Sequence, residues 1–196
     1  MSEPIFYLAH QQGTCKQSVQ EHLWGVAKLA KQSAAKIGLE HAGELIGLLH
    51  DLGKYSKEFQ NYLNSAVGNI DPDEDEYVDA KGKKGKVDHS TAGAQLIWNE
   101  LEKQGQNQSI SAQILALCIA SHHSGLIDCI ESTPNTLAWD RFSNRMVKVD
   151  AKTHLTEVLA NMDRSIERRF RQLIEVPTLH TSLINALVEI KNKNQL

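Results

Sequence analysis

Five histidines and one aspartate fall in four clusters along the chain, and this pattern constrains the fold more than any other feature. The clusters are His22, the pair His50-Asp51, His89 and the pair His122-His123. Imidazole nitrogens combined with a carboxylate suit one or two divalent transition metals better than a single structural zinc. We therefore expect the fold to bring four separate segments together at a metal site, which we interpret as a dinuclear one.

The residues around the first two clusters have helical spacing. Ser18-Val19-Gln20-Glu21 fits a capping box, and the helix that follows it carries His22 on its apolar stripe. The other members of that stripe are Val19, Val26, Leu29 and Ala30. A second helix is predicted over 40–51, with Gly53 ending it. His50 then points inward, and Asp51 reaches the same region from about 100° further round the helix.

Further helices are predicted along the rest of the chain. They cover about 56–63, the stretch from His89-Ser90 to the residue before Gly105, 109–123, 150–162, 164–174 and 181–191. Between residues 64 and 88, charge blocks interrupted by Gly and Pro predict a mobile loop. No run alternates polar and apolar residues over several positions, so we predict an all-α fold.

Length and composition set mild limits. The chain has 196 residues, the size of one domain, with 21 basic and 24 acidic residues and a formal charge of -3. It therefore has no global electrostatic signature of a nucleic-acid binder, and any such contact must be a local patch. Its three cysteines have unrelated spacing, and neither a signal peptide nor a long apolar run is present. We expect a soluble, reduced, cytoplasmic protein that is a monomer and does not contact a membrane.

Two features bear on phosphate chemistry. Lys54 follows Asp51 by three residues, so its ammonium would lie beside a phosphate held by the metal and stabilise charge that develops there. The stretch 141–171 holds eight Lys and Arg residues against four Asp and Glu residues. If these basic residues share a face they form a groove that follows a phosphate backbone, although a solvated helix face explains them equally well.

Several longer motifs resemble a known family. They are Tyr-Leu-Ala-His at 7–10, Glu-His-Leu at 21–23, Gly-Leu-Leu-His-Asp-Leu-Gly-Lys-Tyr-Ser-Lys-Glu-Phe-Gln-Asn-Tyr-Leu at 47–63, Asp-His-Ser-Thr-Ala-Gly-Ala at 88–94, and Ala-Ser-His-His-Ser-Gly-Leu at 120–126. They are similar to the HD superfamily of metal-dependent phosphohydrolases. More closely, they resemble the HD nuclease of type I CRISPR systems, which occurs alone or fused ahead of a DNA helicase. The resemblance implies a helical bundle with a metal site between its helices.

The resemblance also implies a ligand set and a function. His22, His50 and Asp51 would hold one metal, while Asp51, His89, His122 and His123 would hold the second. Asp51 would bridge the two ions, which in this family are manganese, nickel, cobalt, iron or magnesium, and Asp51 and Lys54 would act in catalysis. The implied reaction is hydrolysis of single-stranded DNA in CRISPR interference, with a helicase and an RNA-guided surveillance complex as partners.

The family pattern includes one more aspartate, from a helix beyond the His-His pair. Asp128, Asp140, Asp150 and Asp163 are available, and Asp163 is the best of these candidates. Residues 1–196 are interpreted as a single domain. Because the sequence ends on a helix without a clear stop, we interpret this domain as compatible with an N-terminal fragment of a longer helicase-nuclease.

Two alternative functions remain open. One is a cyclic-dinucleotide or nucleotide phosphohydrolase of the same superfamily, although Ser124-Gly125-Leu126 follows the His-His pair where the cyclic-dinucleotide enzymes have Glu and a downstream Gly-Tyr-Pro. The other is a docking module for a helicase, in which the metals are purely structural. The docking module predicts stabilisation by metal without turnover, and Lys54 argues modestly against it.

Overall fold

A β-hairpin begins the part of the chain that the structure describes. The computed structural model describes residues 5–79, 82, 87–123, 125–127, 129, 131–133 and 136–193, with the backbone alone for 131–133 and 136–139. Strand β1 (Leu8–Gln12) pairs antiparallel with β2 (Cys15–Ser18), and Gly13 turns between them with a φ of 57°, a conformation that glycine adopts without strain.

Ser18 joins this hairpin to α1 (Val19–Ala35) through the predicted capping box. The Ser18 hydroxyl accepts from the Glu21 backbone N–H at 3.2 Å, and the Glu21 carboxylate accepts from the Ser18 backbone N–H at 2.9 Å. Two backbone donors that a helix start leaves unpaired are thereby satisfied, which determines where α1 begins.

Helix α2 (Glu40–Leu49) packs back against α1 after a short connection. The approach is so close that a Cβ at Gly47 would lie 2.7 Å from Ala27 Cα. Small residues on both helices therefore allow backbone contact, and the same contact sets the end of α2 beside the first turns of α1. His22 and His50 are brought together by this packing.

The segment after α2 turns tightly and then continues as helices. It comprises a 3₁₀ helix (Leu52–Tyr55), α3 (Lys57–Ala66), α4 (Thr91–Leu101) and α5 (Gln106–Ser121). Helices α4 and α5 pack on each other, and α4 meets the end of α2 where Gly93 faces the Leu49 carbonyl. A Cβ at Gly93 would stand 2.0 Å from that oxygen, so this contact also requires glycine.

A second hairpin and five helices complete the described part of the chain. They are β3 (Glu131–Thr133), β4 (Thr136–Trp139), α6 (Arg141–Met146), α7 (Asp150–Thr153), α8 (Leu155–Asn161), α9 (Arg164–Ile174) and α10 (Pro177–Lys193). Leu45, Ile97, Leu115 and Phe170 come from α2, α4, α5 and α9 and are all buried in one core cluster.

A buried ion pair ties α9 to the α1–α2 pair. Glu44, which is 5% exposed, accepts from Arg169 Nε at 2.6 Å and from Arg169 Nη2 at 2.9 Å. Lys31 on α1 adds a third contact, 2.8 Å from Nζ to Glu44 Oε2. The two-pronged guanidinium contact satisfies both carboxylate oxygens, as a buried charge requires.

The mainly helical fold confirms the predicted class, while several details differ. The two hairpins were not predicted, because their strands are only three to five residues long and show no sustained alternation. Helix α2 ends at Leu49, before Gly53, and α5 begins at Gln106, three residues earlier than predicted. The predicted helix 150–162 is divided at His154, which adopts a φ of 53°.

Two further predictions were wrong in part. The buried stripe of α1 is Val19, Leu23 and Ala27, whereas Leu29 is 65% exposed, because the helix rests on α2 along a line of residues four apart. Helix α10 begins at Pro177, four residues before the predicted start at 181, because a residue without an N–H is suited to the first helical position. Of the predicted loop 64–88, residues 64–66 belong to α3, residues 67–79 are turns and irregular backbone, and residues 80, 81 and 83–86 lie outside the described residues.

None of the helices in the described ranges is both long and apolar enough to cross a membrane.

Candidate metal centre

Asp51 lies at the centre of the site, between the end of α2 and the 3₁₀ helix, and is 4% exposed. The other predicted ligands surround it at the ends of elements. His22 is on the first turn of α1, His50 caps α2, His89 precedes α4, and His122 caps α5 with His123 next in the chain. Four segments therefore meet as the sequence predicted.

One group of ligand atoms surrounds the Oδ2 oxygen of Asp51. His22 Nε2 is 2.9 Å from this oxygen and His50 Nε2 is 3.3 Å from it. The two imidazole nitrogens are 3.1 Å apart. Both side chains are largely buried, at 14% and 12% exposed, so three ligand atoms converge in a pocket that solvent scarcely reaches.

The second group surrounds the other oxygen of the same carboxylate. His122 Nε2 is 3.1 Å from Asp51 Oδ1, His89 Nε2 is 3.6 Å from it and His123 Nε2 is 3.7 Å from it. His89 Nε2 and His123 Nε2 are 2.6 Å apart. The His123 side chain is 57% exposed, so this group opens to solvent on one side.

Backbone carbonyls orient three of the five imidazoles. In each of the three, Nδ1 lies within hydrogen-bonding distance of a carbonyl oxygen, which can only accept, so Nδ1 carries a proton and Nε2 is the nitrogen left for a metal. The acceptors are the carbonyls of Gly47 for His50 at 2.9 Å, Val87 for His89 at 3.0 Å and Ile119 for His122 at 2.7 Å. The ligand nitrogens are thus preset to face Asp51.

The electrostatics of Asp51, His89 and His123 favour the forms that bind a cation. Burial opposes ionisation of Asp51, but contacts with His122, His22 and His50 outweigh it and hold the pKa of Asp51 far below its usual range. Burial lowers the pKa of His89 and of His123, which favours their neutral imidazoles. Burial also acts to lower the pKa of His122, but the hydrogen bond to Asp51 prevails and raises it.

The donor set fits a divalent metal at each group. In both groups the ligand atoms all lie within 4.8 Å of one another. Imidazole nitrogen with carboxylate oxygen, and no thiolate, is a set typical of transition metals bound for hydrolysis. HD domains bind divalent metals, and this cluster is compatible with that property.

Lys54 is buried beside the site and does not point into solvent. Its Nζ lies 2.9 Å from Asp51 Oδ2, and both side chains are 5% exposed. The ammonium also lies 3.4 Å from the Ala9 carbonyl oxygen and 3.4 Å from His10 Nε2. The sequence interpretation set this ammonium beside a substrate phosphate, whereas in the structure its charged contact is Asp51.

His10 is an exposed neighbour of the site that is not among the predicted ligands. Its ring lies edge-on to His22, with centroids 4.8 Å apart. Gln60 holds β1 in this position, because its side-chain amide donates to the Leu8 and Lys54 carbonyls at 3.0 and 2.7 Å and its oxygen accepts from Leu8 N. His10 and Gln60 both lie in motifs given above, Tyr-Leu-Ala-His at 7–10 and the Phe-Gln pair within 47–63. No feature of the sequence indicates that these two segments contact each other.

Three of the four candidates for a further aspartate ligand do not reach the site. Asp163 caps α9, where Oδ1 accepts from Ser165 N at 2.8 Å, and Asp140 caps α6. Asp150 accepts from Thr156 N, and Asp128 lies outside the described residues. Among the residues described, one ligand group contains His22, His50 and Asp51, and the other contains Asp51, His89, His122 and His123.

Three of the eight basic residues in the stretch 141–171 are held by acidic partners. Lys148 lies 2.7 Å from Asp88 in a neighbouring loop, Arg171 of α9 pairs with Glu100 of α4, and Arg169 of α9 is the partner of buried Glu44 of α2. These three side chains are used in contacts within the fold, which weakens the case for a phosphate-tracking groove along the whole stretch.

Comparison with known proteins agrees with this geometry. No curated protein and no solved structure shows significant similarity to the chain. The family model described as "Cas3, HD domain" matches residues 10–188, which include all six predicted ligands. That family is one of metal-dependent hydrolases, a class that the two ligand groups around one carboxylate fit. The chain therefore belongs to the Cas3 HD domain family of CRISPR-associated HD nucleases.

Proposed function

We propose that this protein is a two-metal nuclease that hydrolyses phosphodiester bonds of single-stranded DNA during CRISPR interference. The observation that carries the proposal is the division of Asp51. One oxygen faces His22 and His50, and the other faces His89, His122 and His123. A carboxylate shared in this way is what a pair of adjacent ions requires.

The residues divide into three roles. His22 and His50 with Asp51 Oδ2 would hold one ion, and His89, His122 and His123 with Asp51 Oδ1 would hold the other. When bound, two such ions polarise a phosphate and supply an activated water. We assign Lys54 to positioning Asp51 and balancing its charge before metal binds, because a buried carboxylate without a partner is costly.

The substrate is expected to approach from the side of His123. This histidine is the most exposed of the five, whereas His22 and His50 are closed off by the packing of α1 on α2. The proposed partners are a CRISPR helicase, fused or separate, and an RNA-guided surveillance complex that exposes the single strand. Membership of the Cas3 HD family supports these partners. We expect manganese, nickel, cobalt, iron or magnesium as the metal.

The test is cleavage of circular single-stranded DNA with Mn²⁺, comparing the protein with Asp51→Asn. The exposed Asp75→Asn is the matched control. We expect the parent and Asp75→Asn to cleave and Asp51→Asn to lose at least about 100-fold in rate. Parallel reactions use linear single strands, duplex DNA, single-stranded RNA, a cyclic dinucleotide and a nucleoside triphosphate.

Each result has a distinct meaning. Cleavage of linear but not circular strands would define an exonuclease. Turnover of the cyclic dinucleotide or the nucleotide without DNA cleavage would replace the proposal with the phosphohydrolase alternative. Thermal stabilisation by Mn²⁺ with no turnover of any substrate would replace it with the docking module.

A further inference from the structure

His10 stands at one end of a row of imidazole rings in which each ring contacts the next. The row runs His10, His22, His50, His122 and His123, with ring centroids 4.8, 5.0, 5.2 and 4.0 Å apart. The side chains of the three inner histidines are 14%, 12% and 19% exposed, whereas His123 is 57% exposed and His10 is also exposed. A strand that approaches from His123 therefore meets a second exposed imidazole at the other end of the row.

An irregularity in the first hairpin sets His10 in this place. The pairing register of β1 with β2 shifts between Leu8 and His10, where Ala9 has no partner on β2. A bulge of this kind changes the direction of the side chains beside it. The Ala9 carbonyl accepts from Lys54 Nζ at 3.4 Å, so Lys54 ties the irregular part of β1 to the metal centre.

Lys54 also determines which nitrogen of the His10 ring carries a proton. An ammonium can only donate, so the 3.4 Å contact between Lys54 Nζ and His10 Nε2 makes Nε2 an acceptor. The ring proton is then on Nδ1, which has no hydrogen-bond partner among the described residues. Because Lys54 Nζ is also 2.9 Å from Asp51 Oδ2, an unused N–H donor lies one side chain away from the shared carboxylate.

An N–H donor next to an ammonium complements an anion that offers oxygen acceptors. The backbone phosphates of a nucleic acid are such anions, and contacts with them position a strand without reading its bases. His10 lies outside both ligand groups, so its Nδ1–H is not needed to hold an ion.

We propose that His10 is a substrate-binding residue whose Nδ1–H donates to a non-bridging oxygen of a backbone phosphate in the single strand. This inference rests on the proposed function, which brings a phosphodiester strand to the row of imidazoles. His10 then acts on the affinity for the strand and not on the number of bound ions.

The test compares the parent with His10→Ala on single-stranded oligothymidylate in Mn²⁺. KM should rise by about tenfold while kcat changes by less than about twofold, because the lost hydrogen bond contributes equally before and in the transition state. The dissociation constant of a phosphorothioate oligothymidylate, which resists hydrolysis, should rise by about the same factor in fluorescence anisotropy. Equilibrium dialysis should give the same number of Mn²⁺ ions per chain for His10→Ala and the parent.

Two further variants separate the hydrogen bond from a structural role. His10→Asn places an amide N–H near the position of Nδ1, so its KM should be within about threefold of the parental value. Gln12→Ala alters an exposed residue on the same strand and should match the parent in every measurement.

Four results would overturn the inference. They are loss of an ion from His10→Ala, which would make His10 a ligand, an unchanged KM, a loss in kcat alone, and an Asn variant as weak as His10→Ala. In each of these the parent still cleaves the strand. If the parent itself neither binds nor cleaves oligothymidylate, the proposed function fails and the inference fails with it.

Discussion

The backbone of Gly53 lies directly against the backbone of His89. Gly53 N donates to the His89 carbonyl at 3.0 Å, and a Cβ at Gly53 would stand 2.6 Å from His89 Cα. His89 is 36 positions further along the chain, yet this contact fixes its distance from Asp51. Glycine in His-Asp-Leu-Gly-Lys is therefore required by the approach of another ligand segment, and its φ is not in the left-handed region.

Gly53→Ala should displace His89 and weaken the metal site. The backbone on both sides must shift to admit a methyl group, and such overpacking costs about 1–3 kcal/mol of unfolding free energy. We expect metal binding weaker by about 10–100-fold, as for other losses of ligand support. Denaturant unfolding and calorimetric titration with Mn²⁺ measure the two effects. The control Gly25→Ala, which has no atom within 4 Å of the new methyl group, should be neutral or slightly stabilising. Gly53→Ala with parental metal affinity would contradict the prediction.

Ligand variants should separate the two ions. His22→Ala removes a ligand from one group and His89→Ala removes a ligand from the other, so each should retain one tightly bound ion where the parent binds two. Asp51→Ala should weaken both, because its oxygens face both groups. Equilibrium dialysis with Mn²⁺ gives the number of ions per chain. His41→Ala, on α2 and in neither group, should bind two. If His22→Ala loses both ions, the two ligand groups do not bind their ions independently, and the prediction is refuted.

Lys54→Met should destabilise the metal-free protein more than the metal-loaded protein. The substitution leaves the buried Asp51 carboxylate without its ammonium, and a lost hydrogen bond to a charged group costs about 1–3 kcal/mol. Bound cations replace that charge, so the loss of stability caused by Lys54→Met should be smaller with Mn²⁺ than without it. Thermal unfolding of the variant and the parent in both conditions measures this difference. Lys57→Met, at a side chain that is 68% exposed, should change stability by less than about 0.5 kcal/mol in either condition. An equal deficit in both conditions would argue against charge balance.

Glu44 should give the fold an acid-sensitive component. Burial opposes ionisation, but hydrogen bonds from Arg169 and Lys31 prevail and lower the pKa of Glu44 in the folded state. A lowered folded pKa contributes stability above the unfolded value, about 4.3, and that contribution is lost as the pH falls through the folded pKa. Glu44→Gln should therefore be less stable than the parent at pH 7 and lose less between pH 5 and pH 3, measured by urea unfolding. Glu40→Gln should follow the parent profile; a Glu44→Gln profile that matches the parent would refute the assignment.

Local chemistry in the sequence was sufficient for several features. The capping box at Ser18 specifies the start of α1 because its hydrogen bonds join residues three apart. The six candidate ligands stood out because imidazole and carboxylate recur in adjacent pairs, and the structure brings these residues into two groups that could each hold an ion. The helical class followed from apolar spacing. Each of these depends on interactions within a few residues or on the chemistry of a side chain.

Only the tertiary structure decided which oxygen of Asp51 faces which histidines, where Lys54 points and why His10 lies at the site. These depend on contacts between distant segments, such as the Gln60 amide that joins β1 to the 3₁₀ helix and the Gly47 contact that sets α2 on α1. Ion pairs such as Arg169 with Glu44 use part of the charge of a basic stretch that looks continuous in the sequence. By itself, the sequence determined which groups are available to bind a metal. The folded chain decided their geometry, because packing and long-range hydrogen bonds have no fixed spacing along the chain.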